Sequence, residues 1–121
     1  MATNIVEINP AKYGGASAGI RTILPLKDAV TRQNCEELEA AYGEAVNSGK
    51  TEIILDCQAL TFLDSEALEL FVRMHEELRN RGGALRLIAL NDVCKDILIA
   101  TRLINALHIY KDIHGALRKW R

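Results

Sequence analysis

The chain has 121 residues, a net charge of −1 at pH 7 and 49% hydrophobic residues, values that indicate one globular domain able to bury a core. The charge balance argues against direct binding to nucleic acid, which usually requires a clear basic excess. No apolar run approaches about 18 residues, so insertion into a membrane is not expected. The three cysteines have long spacings, which predicts reduced thiols beside the core and a cytoplasmic location.

The first half of the chain predicts two strands and one helix. Residues 4–8 are expected to form the first strand, and a loop of small residues follows to about residue 18. Residues 20–26 predict the second strand, where Pro25 favours a position at an edge or a terminus. A helix is then expected from residue 31 or 33 to residue 47. The positions that share its apolar face are Cys35, Leu38, Tyr42, Ala45 and Val46.

The second half predicts three more strands and three more helices. In chain order these are a strand at 51–56, an apolar loop at 59–63, a helix at 65–81, a strand at 84–90, a helix at 92–102, a short strand at 108–110 and a helix at 114–120. The core stripe expected for the helix at 65–81 is Ala67, Phe71, Met74 and Leu78. The buried face expected for the helix at 92–102 is Val93, Ile97, Ala100 and Ile104, with Leu98, Ile99 and Leu103 on its other sides.

Strands that alternate with helices predict an α/β fold with a mostly parallel sheet. The functional groups of such sheets usually lie at the edge where the parallel strands end. Two segments are predicted to reach this edge. They are residues 28–31, after the second strand, and Asp64–Ser65, at the start of the second helix.

The hydroxyl of Ser65 has two interpretations. Either Asp64 or Ser65 caps the helix, which stabilises it by about 0.5–2 kcal/mol, or Ser65 accepts a phosphate. A phosphoserine carries about −1.5 to −2 charges, which a helix N-terminus favours and which Asp64 and Glu66 oppose. Since a docked partner would have to bury this charge, phosphorylation is predicted to release an interface without unfolding the domain. Leu68 and Val72, on a shoulder of the same helix, are predicted to belong to that interface.

No pattern in the chain indicates an enzyme. The histidines lack metal-ligand spacing, and neither a Gly-x-Ser-x-Gly motif nor a Gly-rich phosphate loop is present. Asp56, Asp64 and Glu66 could meet at the strand tip and hold a divalent ion or act as paired acids. A helix cap with solvated charges explains the same residues. We therefore predict no catalytic residue, no metal site and no cofactor.

Three segments of the chain resemble the STAS domain family, named for sulfate transporters and anti-sigma factor antagonists. They are IILDCQALTFLDSEAL at 53–68, GGALRLIAL at 82–90 and DVCKDILIATRLINALHIYKDIHGAL at 92–117. The resemblance covers about residues 18–118. It implies a domain at 19–121 with a four- to five-stranded, mostly parallel sheet, an antiparallel edge strand and about four helices. An N-terminal edge strand and small-residue loop at 1–18 would precede this domain.

The resemblance also implies a function. Bacterial anti-sigma factor antagonists of this size bind an anti-sigma factor that is a serine kinase, and so regulate transcription. The kinase phosphorylates the serine that follows the aspartate, here Ser65, and a phosphatase reverses the reaction. No cofactor is implied, and a homodimer is compatible with this role. The residues expected to contact the partner are Asp28, Thr31, Asp64, Glu66, Leu68 and Val72.

Three positions depart from the family pattern. Glu66 and Ala67 follow the serine where the family has a small residue and a glycine, and Thr31 stands where the family commonly has an aspartate. Two further functions therefore stay open. One is a STAS scaffold subunit that is not phosphorylated, in a phospholipid-transport or signalling complex. The other is a nucleotide- or small-ligand-binding domain that uses the helix N-terminus as an anion site.

Overall fold

The computed structural model of the chain describes residues 5–6 and 19–118. Within them, the elements in chain order are β1 (Arg21–Val30), α1 (Cys35–Asn47), β2 (Glu52–Leu63), α2 (Ser65–Asn80), β3 (Ala84–Ile88), α3 (Asp92–Ala100), β4 (His108–Tyr110) and α4 (Ile113–Arg118). The four strands form one parallel sheet in the order β1-β2-β3-β4. The predicted α/β fold with a mostly parallel sheet is confirmed.

A short piece of chain before β1 pairs with that strand. Val6 forms an antiparallel bridge with Leu26, and Ile5 beside it is fully buried. This bridge agrees with the antiparallel edge strand predicted at residues 4–8. The rest of that strand, the loop after it, and the predicted end of the last helix at Trp120 lie outside the described residues.

Strand β2 is longer than the sequence predicts. Residues 59–63 were expected to form a loop, but they continue the strand and pair with β1. Two β-bulges, each with one extra residue on β2, interrupt the pairing. Because of them the buried residues are Leu60 and Leu63, three positions apart, and the alternation that predicts a strand is lost. Strand β1 likewise extends to Val30, so Asp28, which was expected in a loop, lies in the strand.

The main core lies between the sheet and helices α1, α2 and α3. Ile53 and Leu55 of β2 face these helices, whereas Ile54 faces the opposite side, where α4 packs. The predicted core stripe of α2 is confirmed, since its four side chains are fully buried: Ala67, Phe71, Met74 and Leu78. Burying a side chain such as Phe or Leu stabilises a fold by about 1.5–3 kcal/mol. This stripe therefore holds α2, and with it Ser65, firmly on the sheet.

Helix α3 turns a different face to the core than the sequence predicts. The predicted stripe is confirmed only in part, because Ile97 and Ile104 pack against the core, whereas Val93 is 53% exposed and Ala100 is exposed too. The buried residues are instead Cys94 and Leu98, one turn apart, and Ile99 is 57% exposed. The helix stops at residue 100, and Arg102 has a φ of +65°. Residue 104 therefore leaves the helical register on which the prediction depended.

Candidate functional site

Asp64 caps helix α2. Its backbone is extended, with φ of −99° and ψ of −177°, and its Oδ1 accepts a hydrogen bond from the backbone N–H of Ala67 at 3.0 Å. Its Oδ2 accepts a second hydrogen bond from the backbone N–H of Arg32 at 2.8 Å. One carboxylate therefore closes the first turn of α2 and fastens the β1–α1 loop to it. Such a cap stabilises a helix by about 0.5–2 kcal/mol.

Ser65 is the first residue of α2 and takes no part in the cap. The residue is exposed, and its side chain makes no hydrogen bond with any residue that the structure describes. It stands at the edge of the sheet where the parallel strands end, which is the usual functional edge of such folds. Within the described part of the chain, the fold makes no use of this hydroxyl.

The β1–α1 loop lies against the start of α2. The carbonyl of Val30, at the end of β1, accepts a hydrogen bond from the backbone N–H of Asp64 at 3.3 Å. Inside the loop, Asn34 Oδ1 accepts from the backbone N–H of Thr31 at 2.8 Å, and Asn34 Nδ2 donates to the carbonyl of Ala29 at 2.9 Å. These bonds place Thr31 at the same edge of the sheet as Asp64.

A shallow groove of about 420 Å³ runs beside Ser65 between α2 and the end of α3. Its lining includes Ser65, Leu68, Glu69, Val72, Thr101 and Leu103. Leu68 is 6% exposed and belongs to the main core, so it forms the floor of the groove. Val72 is half-buried on its wall. An apolar surface is thus available directly next to the Ser65 hydroxyl.

The remaining two residues predicted to contact a partner are Glu66 and Asp28. Glu66 is exposed in the first turn of α2. Asp28 is exposed in β1 opposite Leu60, with a φ of +59°. No hydrogen bond or ion pair between described residues joins Asp28 to Ser65.

The start of α2 is an acidic neighbourhood. Partial burial raises the pKa of the Cys35 thiol, at the start of α1, above its usual value, and the negative charges of Glu66, Asp64 and Glu39 raise it further. A phosphate on Ser65 would enter the same negative field. A cation close to the serine would therefore have a large influence on the phosphorylated form.

The described residues hold no group of three or more His, Cys, Asp or Glu side chains placed to bind a metal ion. Of the carboxylates considered for such a site, Asp56 is 4% exposed and accepts a hydrogen bond from the backbone N–H of Gln58 at 3.0 Å. Asp64 is engaged by two backbone donors. The structure therefore favours the cap over the metal site. In the same part of the chain, no helix has the length and apolar character needed to cross a membrane.

These features define a small α/β module whose candidate site is a surface hydroxyl beside an apolar groove. A comparison with protein-family models matches the STAS domain over residues 9–116, and the chain belongs to this family. A comparison with curated proteins found no match. The predicted division of the chain between residues 18 and 19 stays a prediction.

Solved structures show the same fold at low sequence identity. An anti-sigma factor antagonist from Mycobacterium paratuberculosis has a TM-score of 0.74 at 18% identity, covering 98% of this chain and 97% of that one. The unphosphorylated anti-sigma factor antagonist SpoIIAA has a TM-score of 0.67 at 15% identity, covering 93% of this chain and 92% of that one. The phosphorylated form of SpoIIAA, a Bacillus cell-fate determinant, has a TM-score of 0.66 at 17% identity, covering 93% and 96%. These likenesses establish the STAS fold.

Proposed function

We propose that this chain is an anti-sigma factor antagonist that acts in the cytoplasm, binds a serine-kinase anti-sigma factor and releases it when Ser65 is phosphorylated. Membership of the STAS family supports the general role. The similarity in fold to SpoIIAA, solved in an unphosphorylated and a phosphorylated form, supports a switch by phosphate. The proposed contact residues are Asp28, Thr31, Asp64, Glu66, Leu68 and Val72.

The observation that carries this proposal is the unused hydroxyl of Ser65. Because Asp64 supplies the helix cap, the fold does not need the serine oxygen. The residue is exposed at the start of a helix whose core stripe holds it in a fixed position. Such a hydroxyl is accessible to the active site of a kinase.

Phosphorylation would change the surface of the domain and leave its fold intact. In the kinase, Ser65 Oγ attacks the γ-phosphorus of ATP, the bond to the bridging oxygen of ADP breaks, and the hydroxyl proton passes to a base of the kinase. The product carries about −1.5 to −2 charges, which the helix N-terminus favours by about 0.3–1 kcal/mol. A partner packed over the groove would have to bury those charges, which costs it several kcal/mol of binding free energy.

The proposal is tested by incubating the protein with ATP and each serine-kinase anti-sigma factor encoded in the same genome, followed by measurement of the intact mass. We expect one added phosphate on the wild type and none on Ser65→Ala. The control Ser48→Ala, which removes an exposed serine at the end of α1, should gain one phosphate like the wild type. A phosphate on Ser65→Ala, or no phosphate on any of the proteins, would contradict the proposal.

A second candidate function is a STAS scaffold subunit that is never phosphorylated. Glu66 favours it, because an exposed carboxylate next to the hydroxyl keeps a permanent negative charge at the contact surface. In that case Ser65 and Glu66 belong to a constitutive interface, no kinase modifies the chain, and Ser65→Ala binds its partner as the wild type does. The kinase experiment therefore separates the two functions.

A further inference from the structure

We propose that Arg32 receives the phosphate of Ser65, so that the phosphorylated protein holds its own phosphate in an arginine contact between the β1–α1 loop and α2. This inference rests on the proposed function, since it concerns the phosphorylated form of the same site. It adds a basic residue to a site whose predicted members are otherwise acidic, hydroxylic or apolar.

Arg32 is tied to the residue that precedes the phosphate acceptor. Its backbone N–H donates to Asp64 Oδ2 at 2.8 Å, and the carbonyl of Val30 accepts from the backbone N–H of Asp64 at 3.3 Å. The Cα of Ser65 is about 3.8 Å from that of Asp64, as in any trans peptide. These two contacts fix the base of the Arg32 side chain one residue away from Ser65. A long, flexible arginine side chain can span that separation.

The guanidinium of Arg32 is available for this contact. The residue is exposed and makes no ion pair with any residue in the described ranges. The nearby carboxylate of Asp64 already accepts one hydrogen bond on each of its oxygens. Thr31, Arg32, Gln33 and Asp64 line a surface hollow of about 560 Å³, which has room for a phosphate group.

The groove that Ser65 itself lines is a poorer place for a dianion. Its lining there consists of Leu68, Val72 and Glu69, and Glu69 lies one turn along α2 from the serine. The basic residue of the groove, Arg73, is about two turns away and already forms a salt bridge to α1 at 2.7 Å. Like charge and apolar walls both disfavour the phosphate in the groove, whereas the hollow offers the guanidinium of Arg32 beside the carboxylate of Asp64. Rotation about χ1 of Ser65 toward Arg32 is therefore favoured, and a guanidinium binds phosphate through charge-assisted, often bidentate hydrogen bonds.

The contact changes what a partner meets at this surface. In the unphosphorylated protein, Arg32 is a cation at the rim of the site that forms no ion pair within residues 5–6 and 19–118. In the phosphorylated protein, the same side chain is occupied and ties the β1–α1 loop to α2. Phosphorylation then removes a basic contact point for the partner in addition to introducing negative charge.

The test uses protein with phosphoserine installed at position 65 by genetic-code expansion, so it needs no kinase. Phosphorus-31 NMR follows the titration of the phosphate around its second pKa of about 6 in the wild type, Arg32→Gln and the control Arg79→Gln. The control removes an exposed arginine in the last turn of α2. We expect the phosphate pKa to be about 0.3–0.7 lower in the wild type and in Arg79→Gln than in Arg32→Gln, because a paired cation favours the dianion.

Equal phosphate pKa values in the wild type and Arg32→Gln would overturn the inference. A phosphate pKa that rises as much in Arg79→Gln as in Arg32→Gln would also overturn the inference, because the effect would then come from the net charge of the protein. Circular dichroism checks that each variant is folded. The inference and the proposed function can fail separately. If no kinase modifies Ser65, the proposed function is contradicted, but the titration of the installed phosphoserine still tests the contact with Arg32.

Discussion

Helices α2 and α3 begin at neighbouring points of the same sheet edge and are built alike. Asp64 in one and Asn91 in the other accept a hydrogen bond from the backbone N–H three residues later, at 3.0 Å and 2.8 Å. The first helical residue is exposed in both, Ser65 in α2 and Asp92 in α3. Helix α3 therefore carries a permanent carboxylate where α2 carries a hydroxyl. Since the fold tolerates a negative charge at this position in α3, it should tolerate a phosphate at the same position in α2.

Both caps also tie their helix to another part of the sheet edge. Asp64 accepts from the backbone N–H of Arg32 in the β1–α1 loop at 2.8 Å, and Asn91 Nδ2 donates to the carbonyl of Leu60 in β2 at 2.9 Å. The structural role at each helix start thus belongs to the capping residue. The residue after the cap is left for other uses, and only in α2 can its charge be switched.

The likeness between the two helix starts requires that Asp64, and not Ser65, stabilises the first turn of α2. Asp64→Ala should lower the free energy of unfolding by about 1–2 kcal/mol, because the cap and the link to Arg32 are both lost. Urea denaturation measures this change. Ser65→Ala is the control and should alter the free energy of unfolding by less than about 0.5 kcal/mol. A larger loss in Ser65→Ala than in Asp64→Ala would reverse the roles assigned to the two residues.

The start of α3 should respond like that of α2 when its cap is removed. Asn91→Ala should lower the free energy of unfolding by about 1 kcal/mol, because the bonds to the backbone of Cys94 and Leu60 are lost. Hydrogen exchange locates the effect, and the amides of the first turn of α3 should exchange faster while those of α2 keep their rates. Equal acceleration in both helices would show that the two starts are not independent.

A permanent charge at Ser65 should make α2 resemble α3 more closely. We expect Ser65→Asp to change the free energy of unfolding by less than about 0.5 kcal/mol, because attraction to the helix N-terminus is offset by repulsion from Asp64 and Glu66. Urea denaturation beside the wild type measures the difference. A loss of more than about 2 kcal/mol would mean that this helix start cannot accept a charge that the start of α3 carries.

Mild acid should destabilise the domain through a pair of histidines where α2 meets β4. The rings of His75 in α2 and His108 in β4 meet edge to face, with centroids 5.4 Å apart. Partial desolvation of the largely exposed His108 ring lowers its pKa below the usual value of 6.5, and the charges of His75 and Arg86 lower it further. The unfolded chain therefore binds this proton more readily than the folded protein. The stabilisation is complete above about pH 6.5 and is lost as the pH falls through the folded-state pKa of His108.

His108→Gln tests this dependence, because glutamine cannot take up the proton. The free energy of unfolding from urea denaturation should fall less between pH 7 and pH 5 in this variant than in the wild type. His114→Gln, which removes an exposed histidine of α4, serves as the control. Its free energy of unfolding should change with pH as much as that of the wild type. If the free energy of unfolding depends on pH in the same way in the wild type and in His108→Gln, the pH dependence does not come from His108.

The parts of the fold that could be predicted are those with an unbroken local pattern. The core stripe of α2 follows a helical period over about three turns, and the Asp-Ser pair stands just before it. Both the helix and its position at the sheet edge were therefore predicted correctly. The local signal of Asn34 was missed, although asparagine side chains can bond to backbone groups three or four residues earlier. That turn shapes the β1–α1 loop from within, and Asp64 then ties the loop to α2.

Other features depend on contacts that no local pattern contains. The bulges in β2 move its buried residues out of alternation, so the second half of the strand looked like a loop. Which residues of α3 are buried depends on where that short helix ends. The left-handed backbone of Arg102 interrupts the helical spacing of the residues that follow. The approach of Arg32 to the start of α2 is made through Asp64, 32 residues away in the chain. Separations of this length become visible only in the folded protein.

The most direct test of the central claim compares the protein carrying serine at position 65 with the same protein carrying phosphoserine there. Thermal unfolding measures the stability of each form, and titration calorimetry measures its binding to the kinase anti-sigma factor that modifies it. We expect the two melting temperatures to agree within about 3 °C, while the dissociation constant of the phosphorylated form rises at least about tenfold, or by about 1.4 kcal/mol. An unchanged dissociation constant, or a phosphorylated protein that no longer folds, would contradict a switch that acts at the surface of an intact domain.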